Sequence, residues 1–304
     1  MSIVYDLIII GAGPSGITAA VYAARKKMRF LVISKDIGGQ AALSGDIENY
    51  TGYQFVTGPE LAIKFEEHMR KYNFEIKENE EALEVAKKKD LVFVKTDKSN
   101  YQSKTVIVSS GKRSRELGVT GEKEFKNKGL TYCATCDGPL FSGKDVAVIG
   151  GGNSALDAVL QLINIANRVY IINITSSLNG DEVMLEKVRQ NKKVSILNNS
   201  RVTAVLGKSF VDSIKVEKDK KEESLAVEGI FVEIGLVPNS EFINALDKNI
   251  SKEIKVNSRN ETNVSGIFAA GDVTDVAEKQ IIIAAGEGSK AALSAFKYLN
   301  THRF

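Results

Sequence analysis

Short unbroken apolar runs punctuate the chain, and most of them are followed by a stretch with helical composition. "LIII" (7–10) leads through a glycine-rich turn into "ITAAVYAARK" (17–26). "VAVI" (146–149) leads through a second such turn into "SALDAVLQL" (154–162). "GIFAA" (266–270) and "KQIIIAAGEGSKAALSAFKYL" (279–299) complete the series. Apolar runs without polar alternation mark strands buried on both faces, as in parallel sheets covered by helices. An α/β chain of strand–turn–helix units is therefore expected. "KVEKDKKEES" (215–224) departs from the pattern: its interleaved charges read as the solvated tip of a hairpin.

The two turns share a chemistry. Gly11-Ala12-Gly13-Pro14-Ser15-Gly16 is a G-x-G-x-x-G sequence between strand and helix. The first glycine makes the tight turn, the second lets a pyrophosphate approach the backbone, and the third lets the helix pack on the strand. The helix start then offers free N–H groups and a partial positive charge to phosphates. Gly150, Gly152 and Ala155 form a second copy, G-x-G-x-x-A, which implies a second dinucleotide-type domain. One turn could hold FAD and the other NAD(P), or the second glycine turn is kept for chain geometry alone. Downstream, "GIFAAGDV" ends at Gly271-Asp272, where an acid can accept hydrogen bonds from a flavin's ribityl hydroxyls. The helix after it starts near Gln280 and Ile281, and its N-terminus suits the oxygen of a reduced flavin ring. The FAD site would thus be assembled from both ends of the chain.

Composition removes several classes. At 304 residues, one large domain or two ordinary ones are expected. A net charge of +3, with lysines interleaved among acids, gives no nucleic-acid surface. "MSIVYDLIII" lacks the basic start of a leader, and "IIIAA" (281–285) falls far short of the ~20 residues that cross a bilayer. No membrane partner and a cytoplasmic location are expected. No metal site is expected either, since His68 and His302 have no ligand spacing to the cysteines.

Both cysteines of the chain lie in "LTYCATCDGPL" (130–140). A C-x-x-C pair is either two inert thiols or a disulfide that opens and closes. At a helix start a thiol has a lowered pKa, and beside a flavin such a pair is a two-electron relay.

"GAGPSG" (11–16), "GGQ" (38–40), "IENYTG" (47–52), "CATCDG" (133–138), "GGGNSA" (150–155), "IGLVPN" (234–239) and "GIFAAGDV" (266–273) together resemble the low-molecular-weight thioredoxin reductase family along essentially the whole chain. The tail is also similar to the reductase portion of the alkyl hydroperoxide reductase flavoprotein. That flavoprotein's N-terminal thioredoxin-like extension has no counterpart here, which favours an external redox-protein partner. The resemblance implies two Rossmann-like domains in the FAD/NAD(P)-binding disulfide reductase fold. An FAD domain of 1–113 and 244–304 would be interrupted by an NAD(P)-type domain of 114–243 carrying the C-x-x-C, with short joints around 110–117 and 235–242. FAD would be bound by Gly11, Gly13, Pro14, Ser15, Gly16, Gly39, Gln40, Asn49, Gly271, Asp272, Gln280 and Ile281. Cys136 would face the flavin, Cys133 would exchange with the partner disulfide, and Asp137 would move protons. A homodimer whose insert domain swings between flavin and partner is implied as well.

The resemblance breaks at the electron donor. NADPH-using members carry a basic cluster beyond the strand that follows the second glycine turn, and NADH-using folds carry an acid at its end. Here Asn173 is followed by Ile174, Thr175, Ser176 and Ser177, with no Arg or Lys before Lys187. This neutral end looks like the ferredoxin-dependent flavin thioredoxin reductases. The expected activity is therefore reduction of thioredoxin or a thioredoxin-like protein, with ferredoxin as donor. An NAD(P)H-dependent thioredoxin reductase and an NADH-dependent flavoprotein feeding a peroxiredoxin remain as alternatives. A non-catalytic flavin redox sensor is the alternative of another class.

Overall fold

The computed structural model describes residues 3–44 and 46–302, the side chains of Asp46 and Cys136 lying outside the described set. The chain divides into two compact units, Met1–Arg113 with Val237–Phe304, and Ser114–Leu236. In sequence, the second interrupts the first.

The first unit opens with β1 (Val4–Ala12), α1 (Pro14–Arg25), β2 (Phe30–Ile37), α2 (Gly58–Arg70) and β3 (Glu75–Glu78). The strands β4 (Ala82–Lys88), β5 (Leu91–Thr96) and β6 (Asn100–Val108) then follow as an antiparallel meander. The sheet runs β3-β2-β1-β6-β5-β4. In its parallel centre Ile8 stands opposite Leu31 of β2 and Val106 of β6. Successive residues of β1 serve opposite faces, as the pleat requires. Leu7 and Ile9 join the core under α1, with Ala19, Ala20 and Ala23, while Ile8 and Ile10 join the core on the other face. This two-sided burial is why the run shows no polar alternation.

The inserted unit repeats the plan. It contains β7 (Leu130–Thr131), α3 (Ala134–Asp137), β8 (Asp145–Ile149), α4 (Asn153–Leu162), β9 (Arg168–Ile172), α5 (Glu182–Gln190) and β10 (Val194–Leu197). A three-stranded antiparallel sheet follows, β11 (Ser200–Gly207), β12 (Val211–Lys218) and β13 (Lys221–Ala226), before β14 (Gly229–Val232). The parallel sheet runs β7-β14-β8-β9-β10. Val146 and Val148 of β8 pack under α4, and Ala147 and Ile149 pack under the antiparallel sheet. The charged stretch at 215–224 is the β12–β13 hairpin. Its two turn residues, Asp219 and Lys220, both take left-handed φ values of 50° and 62°, as a two-residue hairpin turn demands.

The returning segment adds β15 (Ile267–Ala269), parallel to β6, and the long helix α6 (Ile281–Thr301). Ala291, Ala292 and Ala295 of α6 enter the α1 core. The resemblance places the second boundary at 243/244; the structure places it at 236/237. Asn239 Nδ2 donates to Ser110 O at 2.8 Å, Val85 N donates to Phe242 O at 3.2 Å, and Ile243 is fully buried in the first unit's core. These partners are remote in sequence, so nothing in the local composition announces the change of unit. Among the described residues no helix is long and apolar enough to cross a membrane.

Candidate active site

The first unit holds a cavity of about 830 Å³ at the end of β1. Gly11, Gly13, Pro14, Ser15, Gly39, Gln40, Asp272, Gln280 and Ile281 line it. The glycine turn is shaped by close approach. Gly11 has φ +103°, and a Cβ at Gly16 would lie 1.8 Å from Gly11 O. Gly16 and Gly271 are therefore packing positions behind the lining rather than part of it. Asn49 also stands back: its Nδ2 donates to Gln280 Oε1 at 3.1 Å and steadies the residue that caps α6. The structure thus brings together the expected residues from both ends of the chain. A cavity lined by a glycine turn, a strand-end acid and a helix start suits FAD.

Several cavity residues were not anticipated. Asp36, at the end of β2, lines it. It lies about twenty residues beyond the glycines, the spacing at which dinucleotide folds place an acid for ribose. That rule, applied to the second turn, would have found Asp36 at the first. Lys112 and Lys279 also line the cavity, and both pair with Glu253 Oε1, at 2.9 and 3.2 Å. Burial alone would raise the Glu253 carboxyl. Hydrogen bonds from Asn249, Lys112 and Lys279 outweigh it and hold the group down at about 2. Asp272 moves the other way: burial pushes its carboxyl above the usual range, against the pull of Lys279 and Lys112.

The inserted unit carries the sulfur chemistry. Cys133 precedes α3 and is disulfide-bonded, and no cysteine is free among the described residues. The expected orientation of the Cys136 side chain lies outside the described set. Thr131, buried at the end of β7, organises the motif in a way the sequence did not announce. Its Oγ1 accepts from Cys133 N at 3.2 Å and donates to Asp137 Oδ2 in a short hydrogen bond. One hydroxyl therefore fixes both the backbone of the first cysteine and the carboxylate expected to move protons. Thr135 Oγ1 donates to Gln161 Oε1 at 3.0 Å, and Gln161 Nε2 donates to Asp157 Oδ2 at 2.8 Å, tying α3 to α4.

The second glycine turn keeps its fold, and the segment after β9 packs against it. Asn173, 3% exposed, spends both amide hydrogens internally, on Thr175 O at 3.1 Å and Asn198 Oδ1 at 2.9 Å. Its Oδ1 accepts from Thr175 Oγ1 at 3.0 Å and lies 2.4 Å from where a Cβ on Gly151 would be. The segment after β9 folds back on the turn, Asn179 N donating to Gly151 O and Asp181 N to Asn153 Oδ1, each at 2.7 Å. Asn173 is thus a structural anchor: its amide hydrogens are spent, and its oxygen, the group a ribose hydroxyl would donate to, already accepts from Thr175 N and Thr175 Oγ1.

Known proteins are similar to the chain in sequence and in fold. The chain is 42% identical over 299 residues to an NADH dehydrogenase of Bacillus subtilis, covering 97% of this chain and 58% of that protein. It is 43% identical over 302 residues to an alkyl hydroperoxide reductase component of Xanthomonas campestris pv. phaseoli, covering 97% and 57%. The chain therefore spans little more than half the length of these curated relatives. Among solved structures, the thioredoxin reductase of Lactococcus lactis superposes with a TM-score of 0.89 at 32% identity, over 98% of this chain and 100% of that one. A ferredoxin-flavin thioredoxin reductase of Clostridium acetobutylicum superposes with a TM-score of 0.55 at 30% identity, over 98% and 99%. The sequence model of the pyridine nucleotide-disulphide oxidoreductase family matches residues 5–288, so the chain belongs to that family, with a thioredoxin reductase fold and FAD as its cofactor.

Proposed function

We propose that the chain is a thioredoxin-disulfide reductase that takes electrons from reduced ferredoxin and delivers them to the disulfide of thioredoxin or a thioredoxin-like protein. Bound FAD supplies the two-electron capacity between a one-electron donor and a disulfide. Gly11 to Ser15, Gly39, Gln40 and Asp272 would bind it, and Gln280 and Ile281 would bring the start of α6 to it. Opening the C-x-x-C disulfide consumes two electrons, from two ferredoxins, and two protons. The Cys133 thiolate then attacks the partner's disulfide, forming a mixed disulfide and releasing one partner thiolate. The Cys136 thiolate attacks Cys133 Sγ, reforming the internal disulfide and releasing the reduced partner. Asp137, oriented by Thr131, holds or passes the protons of this exchange.

The observation that carries the donor is the self-satisfied strand end at Asn173. A missing charge-assisted contact to phosphate or ribose costs roughly 1.5–3 kcal/mol, about ten- to a hundredfold in affinity. NADPH loses several such contacts and NADH at least one. NADH is the second reading, favoured by the relative of Bacillus subtilis named NADH dehydrogenase. The test is anaerobic. FAD-loaded protein is mixed separately with reduced ferredoxin, NADH and NADPH while the visible flavin absorbance is followed. Bleaching by ferredoxin, with slow or absent bleaching by either nucleotide, is expected. Rapid bleaching by NADH or NADPH, with no response to ferredoxin, would overturn the donor. A homodimer belongs to the same proposal by likeness to thioredoxin reductases, and light scattering measures it.

A further inference from the structure

The second glycine turn has a carboxylate where a phosphate cradle needs none. Glu233 follows β14, and its N–H donates to Ile149 O, at the end of β8, at 2.8 Å. The turn packs closely on its backbone: a Cβ on Gly150 would lie 2.1 Å from the Glu233 carbonyl oxygen. Its side chain reaches the first turn of α4, where Ser154 Oγ donates to Glu233 Oε2 at 2.7 Å. Gly152, the N-cap of α4, brings no side-chain acceptor to that turn. In strand–turn–helix dinucleotide sites, the pyrophosphate is held at this first turn. Here the protein places its own anion there.

Its charged neighbour is another acid. From α4 it faces Ser154 and Asp157, and Asp157 repels it. Its contacts with β8 and the turn are made by its backbone, through Ile149 O and beside Gly150, neither of which titrates. Among the described residues no Lys or Arg pairs with it. Burial raises its carboxyl, the Ser154 hydrogen bond lowers it, Asp157 raises it again, and the balance stands at about 7.

We infer that Glu233 decides whether the second glycine turn accepts a pyridine dinucleotide: ionised, it occupies the phosphate end and excludes the ligand; protonated, it admits the ligand weakly. The inference deepens the ferredoxin reading and rests on it, since a turn that admits the ligand only weakly makes a pyridine nucleotide a poor donor. Asn173 closes the ribose end by packing, and Glu233 closes the phosphate end by charge. Only the second closure depends on pH.

Calorimetric titration of NAD⁺ into FAD-loaded protein tests this. With only the neutral form competent, apparent affinity scales with the protonated fraction. That fraction changes about tenfold between pH 6 and pH 8 for a group at about 7. Wild type should therefore bind NAD⁺ about tenfold more weakly at pH 8. E233Q, which keeps the shape and loses the charge, should bind with equal affinity at both values, at least tenfold tighter than wild type at pH 8. S154A removes the hydrogen bond that favours the charged form, so it should move the wild-type transition to higher pH. This keeps the idea testable if E233Q fails to fold. Equal NAD⁺ affinity in wild type and E233Q at pH 8, or a pH slope that persists in E233Q, overturns the inference. Ferredoxin-driven bleaching, measured on the same preparations, separates the two readings. If bleaching persists while E233Q gains nothing, the role of Glu233 falls and the donor stands. If NADH bleaches wild type rapidly at pH 8 and ferredoxin does not, both fall.

Discussion

Replacing Asn173 with aspartate asks whether the end of β9 is an anchor or a ribose site. Aspartate is isosteric, and an acid is what NADH-binding folds place here. If the site were merely missing its charge, N173D would repair it. The structure argues the reverse. The buried Nδ2 donates to Thr175 O and Asn198 Oδ1, at 3.1 and 2.9 Å. A carboxylate would set an oxygen against those two acceptors. Each unsatisfied buried group costs ~1–3 kcal/mol, so N173D should lose about 2–6 kcal/mol at pH 8. Protonation restores one donor, which raises the folded-state pKa of the introduced carboxyl above its unfolded value of about 3.9. The folded state then binds more protons than the unfolded state between those two pKa values. Stability must fall as pH rises through that window and level off above the folded pKa. Thermal unfolding of FAD-loaded N173D and wild type at pH 5 and pH 8 reads this out. The variant should melt lower at both, with the wider gap at pH 8, and NADH should bleach its flavin no faster. A variant as stable as wild type at pH 8 that is also bleached rapidly by NADH would refute the anchor and show an ordinary ribose site.

Gly16→Ala drives a methyl group to within 1.8 Å of Gly11 O. Overpacking of about 1–3 kcal/mol should weaken FAD by about five- to a hundredfold, and the variant should purify pale when its flavin is counted by absorbance. Cys133→Ser and Cys136→Ser should each abolish disulfide turnover, because exchange needs both sulfurs. A long-wavelength charge-transfer band is expected in Cys133→Ser, and its presence in Cys136→Ser instead would reverse the assignment. Glu253→Gln leaves Lys112 and Lys279 facing each other and should cost about 1–3 kcal/mol. Glu253 is held down at about 2, below its ordinary value. Its contribution is therefore complete above that ordinary value and is lost as pH falls toward 2. Wild-type melting should drop over this range more steeply than that of Glu253→Gln, and equal slopes would remove Glu253 from the account.

What could be read in advance was what local spacing encodes. The runs at 7–10 and 146–149 became β1 and β8 because both their faces are covered, a property visible as missing alternation. Glycine spacing located both turns, and the charged stretch at 215–224 became a hairpin with its two left-handed residues at the tip. Contacts made across sequence left no such trace. Thr131 matters because folding sets its hydroxyl between Cys133 N and Asp137 Oδ2, and threonine next to a C-x-x-C has no pattern of its own. Glu233 reads as one more acid after a strand until Ser154, from another element, is found against it. The boundary at 236/237 depends on partners in β4 and in the segment after β6, and is invisible to composition.

The glycine motif in a turn packed against its own chain follows from the same distinction. Gly150 takes φ +138°, and a Cβ there would meet Glu233 O at 2.1 Å and the Ala155 methyl at 3.2 Å. Those constraints come from β8 entering α4 beside β14, and they hold whether or not a phosphate is bound. A substitution that restored a side chain would therefore damage the fold before it touched any ligand. The groups that recognise a nucleotide, by contrast, sit at the strand end and on the facing loop, where side chains can change while the glycine turn keeps its shape. Spacing of glycines thus reports the fold of a dinucleotide turn, and the charges opposite it report its ligand. In the first unit the two agree, with Asp36, Lys112, Lys279 and Asp272 around an open cavity. In the inserted unit they do not, and that disagreement is the physical ground for seeking the electron donor outside the pyridine nucleotides.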